Sequence, residues 1–405
     1  MKIAKLMLLP ILVFGLAATS CRRQEDNVLT LWTMFTGADG TTFTQMVEAF
    51  NATNPTFRVE HIPITAEDLY LRLQLSVSSG VGVPDIAVNH IERIALFQDF
   101  GNVTNLAPFL AQSPIRRENY LAGAWDAASI AGGQYGIPLD IHSYILYVNW
   151  DLYTQLGLNV LDDGILTWDE ILQVAPIALE HGIVPIGLGW IRVIFLASYA
   201  QMGGTLSANG IDPSFDNEIA RQVLRHYRSL VESGLTQMPG EDSWMMFLGG
   251  NILFMPEGIW MYNHVRETGL NTRSFDFPVF SADRIVNWTS SHQFTIPTQR
   301  NPNPERIAAS LEFIDWIGRN SEMWAEAGQV PAHVGGQTAR FGTFHQAFLA
   351  DRTSDQLDIS DYRYFGYAVE ALDTVLADII FGNIDLYVGL RQAEQEVRDR
   401  IAFGR

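Results

Sequence analysis

The sequence predicts an α/β protein of two domains, and three observations carry that reading. The chain has 405 residues, and a single hydrophobic core stops growing at roughly 250–300. Nearly half the residues, 47%, are hydrophobic and only 18% are charged, which excludes a disordered chain and a long coiled coil. From Val28 onward, short β-type runs alternate with amphipathic helical stripes, the order that builds sheets flanked by helices.

The first strand is Val28 to Thr33 (VLTLWT), ending in a polar loop, Thr36-Gly37-Ala38-Asp39-Gly40. Phe43, Met46, Val47 and Phe50 follow at i, i+3, i+4 and i+7, one apolar face of a helix that Asn54-Pro55 ends. Phe57 to Ile64 is the next strand, Ala66 to Ser78 the next helix, stopped at Gly80, and Pro84-Asp85 opens the run Ile86-Ala87-Val88. Farther on, Tyr144 to Val148 and Ile183 to Leu188 are strand-like, and Thr167-Trp168-Asp169-Glu170 is a capping box. Ile219, Val223, Tyr227 and Leu230 form one helical stripe, Ile307, Leu311, Ile314 and Ile317 another, and Ala393, Val397 and Ile401 a C-terminal one. Glycine–proline clusters at Gly132 to Pro138, Phe277 to Ser281 and Gln329 to Gly336 are the expected crossings between domains.

The N-terminus reads as an export signal. Lys2 and Lys5, the only lysines, precede an apolar run of 13 residues, Leu6 to Ala18. That is shorter than the roughly 20 residues a bilayer span requires, and small residues follow it. The only cysteine, Cys21, stands directly after, in a setting that resembles the lipobox of bacterial lipoproteins, with Ala18 where leucine is usual. Lipidation at Cys21 would leave residues 21–27 as a tether. Ordinary cleavage after Ser20, releasing a soluble protein with a free thiol, is the alternative. Removing residues 1–20 lowers the net charge from −19 to −21. With no basic face, nucleic acid is excluded as a partner.

Chemistry is narrowed mainly by what is missing. Nine histidines show no HxH, HxxH or HExxH spacing, so neither a metal site nor a cofactor is expected. No Walker loop, GxSxG elbow or strand-borne GxGxxG occurs. Paired carboxylates for glycoside hydrolysis carry no fixed spacing, and 45 acids leave an exported glycoside-cleaving enzyme open as an alternative. Tryptophans in loop contexts stand out among ten in all: Trp32, Trp190, Trp260 and Trp288. Their faces suit the apolar faces of sugars, as carboxylates and amides suit ring hydroxyls.

Several stretches together resemble the extracellular solute-binding proteins of family 1, the carbohydrate-binding components of ABC importers, which include maltose-binding protein. These are LTLWTMFTGADGTTFTQMVEAFNATNP, SSGVGVPDIAV, QYGIPLDIHSYILYVNWDLY, TWDEIL, WMMFLGGNILFMPEGIWM and MWAEAGQVPAH, in the family's order over roughly residues 28–335. The resemblance implies the type II two-lobed binding-protein fold, each lobe a mainly parallel sheet flanked by helices, with the ligand in the cleft between. It places residues 28–138 and 284–330 in an N-terminal lobe, and 139–283 and 331–405 in a C-terminal lobe. It implies a monomeric, non-catalytic receptor, lipid-anchored to the membrane, that hands a sugar to the permease subunits.

Carried over residue by residue, the implied ligand contacts are Trp32, Phe35 and Asp39 on the N-lobe rim and Asn89, His90 and Glu92 beyond the third strand. Asp140 and His142 follow after the GIP crossing, and Trp260 stands in EGIW. Trp190, Trp288, His292 and Gln329 complete the set. Asp85 is expected to fix a turn. Gly40 and Ile259 depart from the family's usual charged residue and proline. Other solutes remain as alternatives: a polyol, a peptide, or a glycerol phosphodiester, for which Arg93, Arg192 and Arg266 would be the phosphate partners.

Overall fold

The computed structural model describes residues 27–162, 164–352, 356–359 and 362–403. The leader, Cys21 and the proposed tether through residue 26 lie outside the described residues. Among the described residues no helix is long and apolar enough to cross a membrane.

The elements that position the site are, in chain order, β1 (Val28–Thr33), α1 (Ala38–Ala52), β2 (Arg58–Pro63), α2 (Ala66–Ser79), β3 (Ile86–His90) and α3 (Ile91–Asp99). They continue with β4 (Ile137–Pro138), β5 (Asp140–Asn149), α4 (Trp168–Glu180), β6 (Val184–Ile186), α5 (Ile191–Gln201), α6 (Glu218–Glu232), β7 (Ile252–Gly258) and β8 (Thr272–Asp276). The last are β9 (Asn287–Ser290), β10 (His292–Thr295), α7 (Pro304–Arg319), β11 (Val330–Pro331), β12 (Leu357–Asp358), α8 (Phe365–Asp373) and α9 (Leu386–Phe403).

Two sheets divide these strands. The first runs β2-β1-β3-β10-β4; the second runs β12-β9-β5-β7-β6, with β8 and β11 also pairing with β5. The α/β class and two-lobed architecture match the sequence reading, while the sheets are mixed rather than mainly parallel. β1 lies parallel to β2 and β3, whereas β10 enters antiparallel to both β3 and β4. The reason is the connection: β10 is fed from the other lobe and not by a βα crossover, so nothing imposes a parallel direction on it.

Side-chain alternation explains each local choice. In β1, Leu29, Leu31 and Thr33 are buried and Trp32 takes the half-buried face. All ten residues of β5 are buried, because this strand is paired on both edges and covered on both faces. Thr167 Oγ1 accepts the Glu170 N–H while Glu170 Oε2 accepts the Thr167 N–H, starting α4 as the capping box foretells. Asp85 fixes its turn as expected: it accepts hydrogen bonds from Thr30 N (2.8 Å) and from Arg306 Nε and Nη2 (2.7 and 2.6 Å).

One boundary moves, and one expected crossing is absent. Residues 287–290, which the sequence reading gave to the N-terminal lobe, pair with β5 and β12 in the second sheet, so the chain crosses at Ser291 instead of 284. The cluster Phe277 to Ser281 is not a crossing. Phe277 is buried in the second lobe's core, and Val279 exchanges backbone hydrogen bonds with Leu166 and Trp168.

Candidate functional site

A cleft of about 910 Å³ opens between the lobes. Of the residues named from the sequence, Phe35, Asp39, His90, Glu92, His142, Trp190, Trp260, Trp288, His292 and Gln329 line it. Trp32, Asn89 and Asp140 do not. Period-two alternation accounts for the first two misses. Trp32 lies on the side of β1 opposite Leu31 and Thr33, and Asn89 points away from the face that His90 presents. Asn89 is buried and donates to Thr295 Oγ1 at 2.8 Å.

Asp140 is an anchor beneath the floor. It is fully buried. Its Oδ1 accepts from the His292 backbone N–H (3.1 Å) and bonds His142 Nδ1 (3.2 Å). Its Oδ2 bonds His292 Nδ1 (2.8 Å) and accepts from Trp324 Nε1 (2.6 Å). Burial alone would raise its pKa, but the two imidazoles beside it reverse that and hold the carboxyl well below the usual range.

Above Asp140 lie three imidazoles. His142 stacks on His292 with centroids 4.3 Å apart, and His90 lies 4.9 Å from His292 and 5.7 Å from His142. His90 Nδ1 is hydrogen-bonded to Tyr70 OH at 2.5 Å. Burial lowers both rings: His90 is pushed down to about 3 and His142 is held below its ordinary value. Both are therefore neutral near pH 7. Sequence spacing could not show this trio, because 52 and then 150 residues separate its members and only the adjacency of β3, β5 and β10 unites them.

The walls are aromatic. Trp260 meets His142 edge-on at 5.7 Å and Trp190 at 6.2 Å, perpendicular. Gly258 is required here, since a Cβ would lie 2.2 Å from the Trp260 ring. Trp190 is 55% exposed and caps α5 at φ 42°, a left-handed conformation that a bulky side chain rarely adopts; it sets the indole at the rim. Gln329 is buried, and its Oε1 has no partner among the described residues. Asp39 is raised by burial, against the pull of His292 and the Gly40 N–H. Glu92 Oε2 accepts from Ser290 Oγ across the lobes at 2.8 Å.

Sequence reasoning missed Tyr70, Trp324, Glu370 and Asp373. Tyr70 lies in the helix expected from Ala66 and Trp324 in the motif MWAEAGQVPAH, neither with a mark of its own, and the two acids lie beyond the family-like motifs. Arg93 pairs with Glu370 at 2.5 Å, and Arg192 Nε lies 2.9 Å from both oxygens of Asp373. Arg266 is not among the cleft-lining residues.

The chain is similar to known proteins over most of its length. The arabinooligosaccharide-binding protein of Bacillus subtilis is 25% identical over 170 residues, 41% of this chain and 38% of that protein. The chain thus matches well under half of that relative's length. The sn-glycerol-3-phosphate-binding periplasmic protein of Rhizobium meliloti is 21% identical over 350 residues, 80% of this chain and 77% of that one. Among solved structures, the GacH receptor of Streptomyces glaucescens superposes with a TM-score of 0.78 at 17% identity, covering 92% of this chain and 97% of its own. That likeness shows the two-lobed fold. The profile of one family matches residues 45–332, and with lobes, crossings and cleft in place, the chain belongs to the bacterial extracellular solute-binding proteins.

Proposed function

We propose that this protein is a non-catalytic carbohydrate receptor outside the cytoplasm, lipid-anchored through Cys21, which delivers its sugar to an ABC-type importer. One observation carries the reading. Trp190 and Trp260, set perpendicular, and Trp288 offer indoles around a floor of imidazoles and a Gln329 amide oxygen that has no partner among the described residues. Apolar sugar faces stack on such rings while ring hydroxyls reach such acceptors. The Bacillus relative's oligosaccharide ligand supports the sugar class.

The Rhizobium relative's ligand is a phosphate ester, but the two arginines at this cleft are already paired with Glu370 and Asp373, which favours a neutral ligand. Capture would proceed by hinge closure, the closed form docking on the permease. The test is a melting-temperature and tryptophan-fluorescence screen against neutral mono- and oligosaccharides, with glycerol 3-phosphate and glycerophosphodiesters as comparison arms. Saturable shifts with a sugar and none with the phosphates are expected. A response to the phosphates alone would overturn the reading, as would products released from an oligosaccharide.

A further inference from the structure

We propose that His90, His142 and His292 form a binding site for one divalent transition-metal ion of the zinc type at the floor of the cleft. One ring nitrogen of each histidine lies within 4.8 Å of those of the other two. In every ring Nδ1 is already committed: to Tyr70 OH in His90, to Asp140 Oδ1 in His142, and to Asp140 Oδ2 in His292. Nε2 is left in each case, without a hydrogen-bond partner among the described residues. A carboxylate or hydroxyl behind Nδ1 and a free Nε2 in front is the arrangement that orients metal-binding imidazoles and raises their basicity. Asp140 serves two of the three rings at once.

The donor set selects the ion. Three imidazoles suit zinc and its neighbours rather than calcium or magnesium, which prefer oxygen. Zinc–nitrogen bonds of about 2.0–2.1 Å in a tetrahedral site require nitrogens roughly 3.3 Å apart, so binding must draw the trio inward. His90 and His292 belong to the first sheet and His142 to the second, so the ion would tie the lobes together across the hinge. The surroundings balance its charge: Asp140 lies directly behind, and Glu92 and Asp39 line the same cleft. All three rings face that cleft, so a fourth coordination position opens towards the ligand, where water or a ligand oxygen could complete the shell. The site does not depend on the ligand being a sugar.

The experiment uses the purified protein stripped with a chelator. Equilibrium dialysis is expected to return one zinc per chain. Zinc should raise the melting temperature where magnesium does not, and cobalt should give the intense visible bands of a tetrahedral nitrogen-bound ion. His142→Gln and, separately, His90→Gln should each weaken zinc binding by at least tenfold. Asp140→Asn, which keeps the site's shape but loses the charge behind two rings, should weaken it by about 10–100-fold. The cobalt spectrum of the unsubstituted protein decides the matter even if a variant fails to fold. Octahedral cobalt bands, no stoichiometric zinc, or undiminished binding in folded His142→Gln and His90→Gln would overturn the proposal.

Discussion

Asp140 and Glu257 are both buried carboxylates of the second lobe, yet they meet opposite fates. Asp140 faces donors on both oxygens and stays ionised. Glu257 has Tyr144 OH (3.0 Å) and the Gly258 N–H (2.8 Å) on one oxygen only, and burial pushes it up to about 7 from 4.5. Between those two pH values the folded chain keeps a proton that the unfolded chain has released. Glu257 therefore contributes stability below about 4.5, loses it as pH rises, and contributes none above about 7. The difference across the window is on the order of 3 kcal/mol. Glu257→Gln, compared with the unsubstituted chain by urea unfolding at both ends of the window, should lose that share of the pH dependence. A variant with an unchanged slope would show that Glu257 is ionised throughout. At the cleft wall, Trp260→Ala should weaken sugar binding by about tenfold or more, ~1.4 kcal/mol, and Trp260→Phe by less, read by calorimetric titration. Equal affinity in Trp260→Ala would remove this indole from the contact surface.

At the scale of elements, local signals were legible and distant pairings were not. The strand Val28 to Thr33, the helix from Ala66 and the helix opened by Thr167 could be located because period, cap and breaker residues act within a few positions. Thr167→Ala removes the acceptor for the Glu170 N–H and should cost about 1 kcal/mol of stability, measured by denaturant unfolding; a change near zero would mean Glu170 alone holds the turn. The side of a strand that meets the cleft was harder to read. Asn89 and His90 are adjacent and equally polar, and only the packing of β3 against β10 decides that His90 faces the cleft. The cluster Phe277 to Ser281 looked like a crossing because glycine and proline punctuate turns everywhere, whereas the real crossing at Ser291 is a run of serines between two buried strands. Trp260 was legible through its family-like motif, and Trp190 and Trp288 through their loop contexts, whereas the same reasoning placed Trp32 at a cleft it does not line. The acids Glu370 and Asp373 leave no mark of either kind.

At the scale of the molecule, the lobes meet at two kinds of contact with different consequences. Near the hinge, Leu139 N–H donates to His292 O (2.8 Å), Ala332 N–H donates to Leu139 O (3.1 Å), and Ser291 Oγ donates to the Asp140 carbonyl (2.6 Å). These short connections let the lobes rotate without parting. Away from it, α8 of the second lobe reaches α3 of the first: Arg93 pairs with Glu370, and Arg363 Nε donates to Asp99 at 2.6 Å. Such bridges form only while the lobes are apposed, so they bias the population towards closure. Arg93 is mostly buried and Glu370 is 40% exposed at the side chain, which limits the pair to about 1 kcal/mol. If the closed form is the one that grips ligand, losing that bias lowers the competent fraction and weakens apparent affinity in proportion. Glu370→Gln should thus raise the apparent Kd by up to about fivefold, with a larger radius of gyration in the free protein by small-angle scattering and the same radius when ligand saturates. A raised Kd with no change in the free radius would assign Glu370 to direct contact instead. An unchanged Kd would mean that the Arg93–Glu370 pair does not set the resting angle between the lobes.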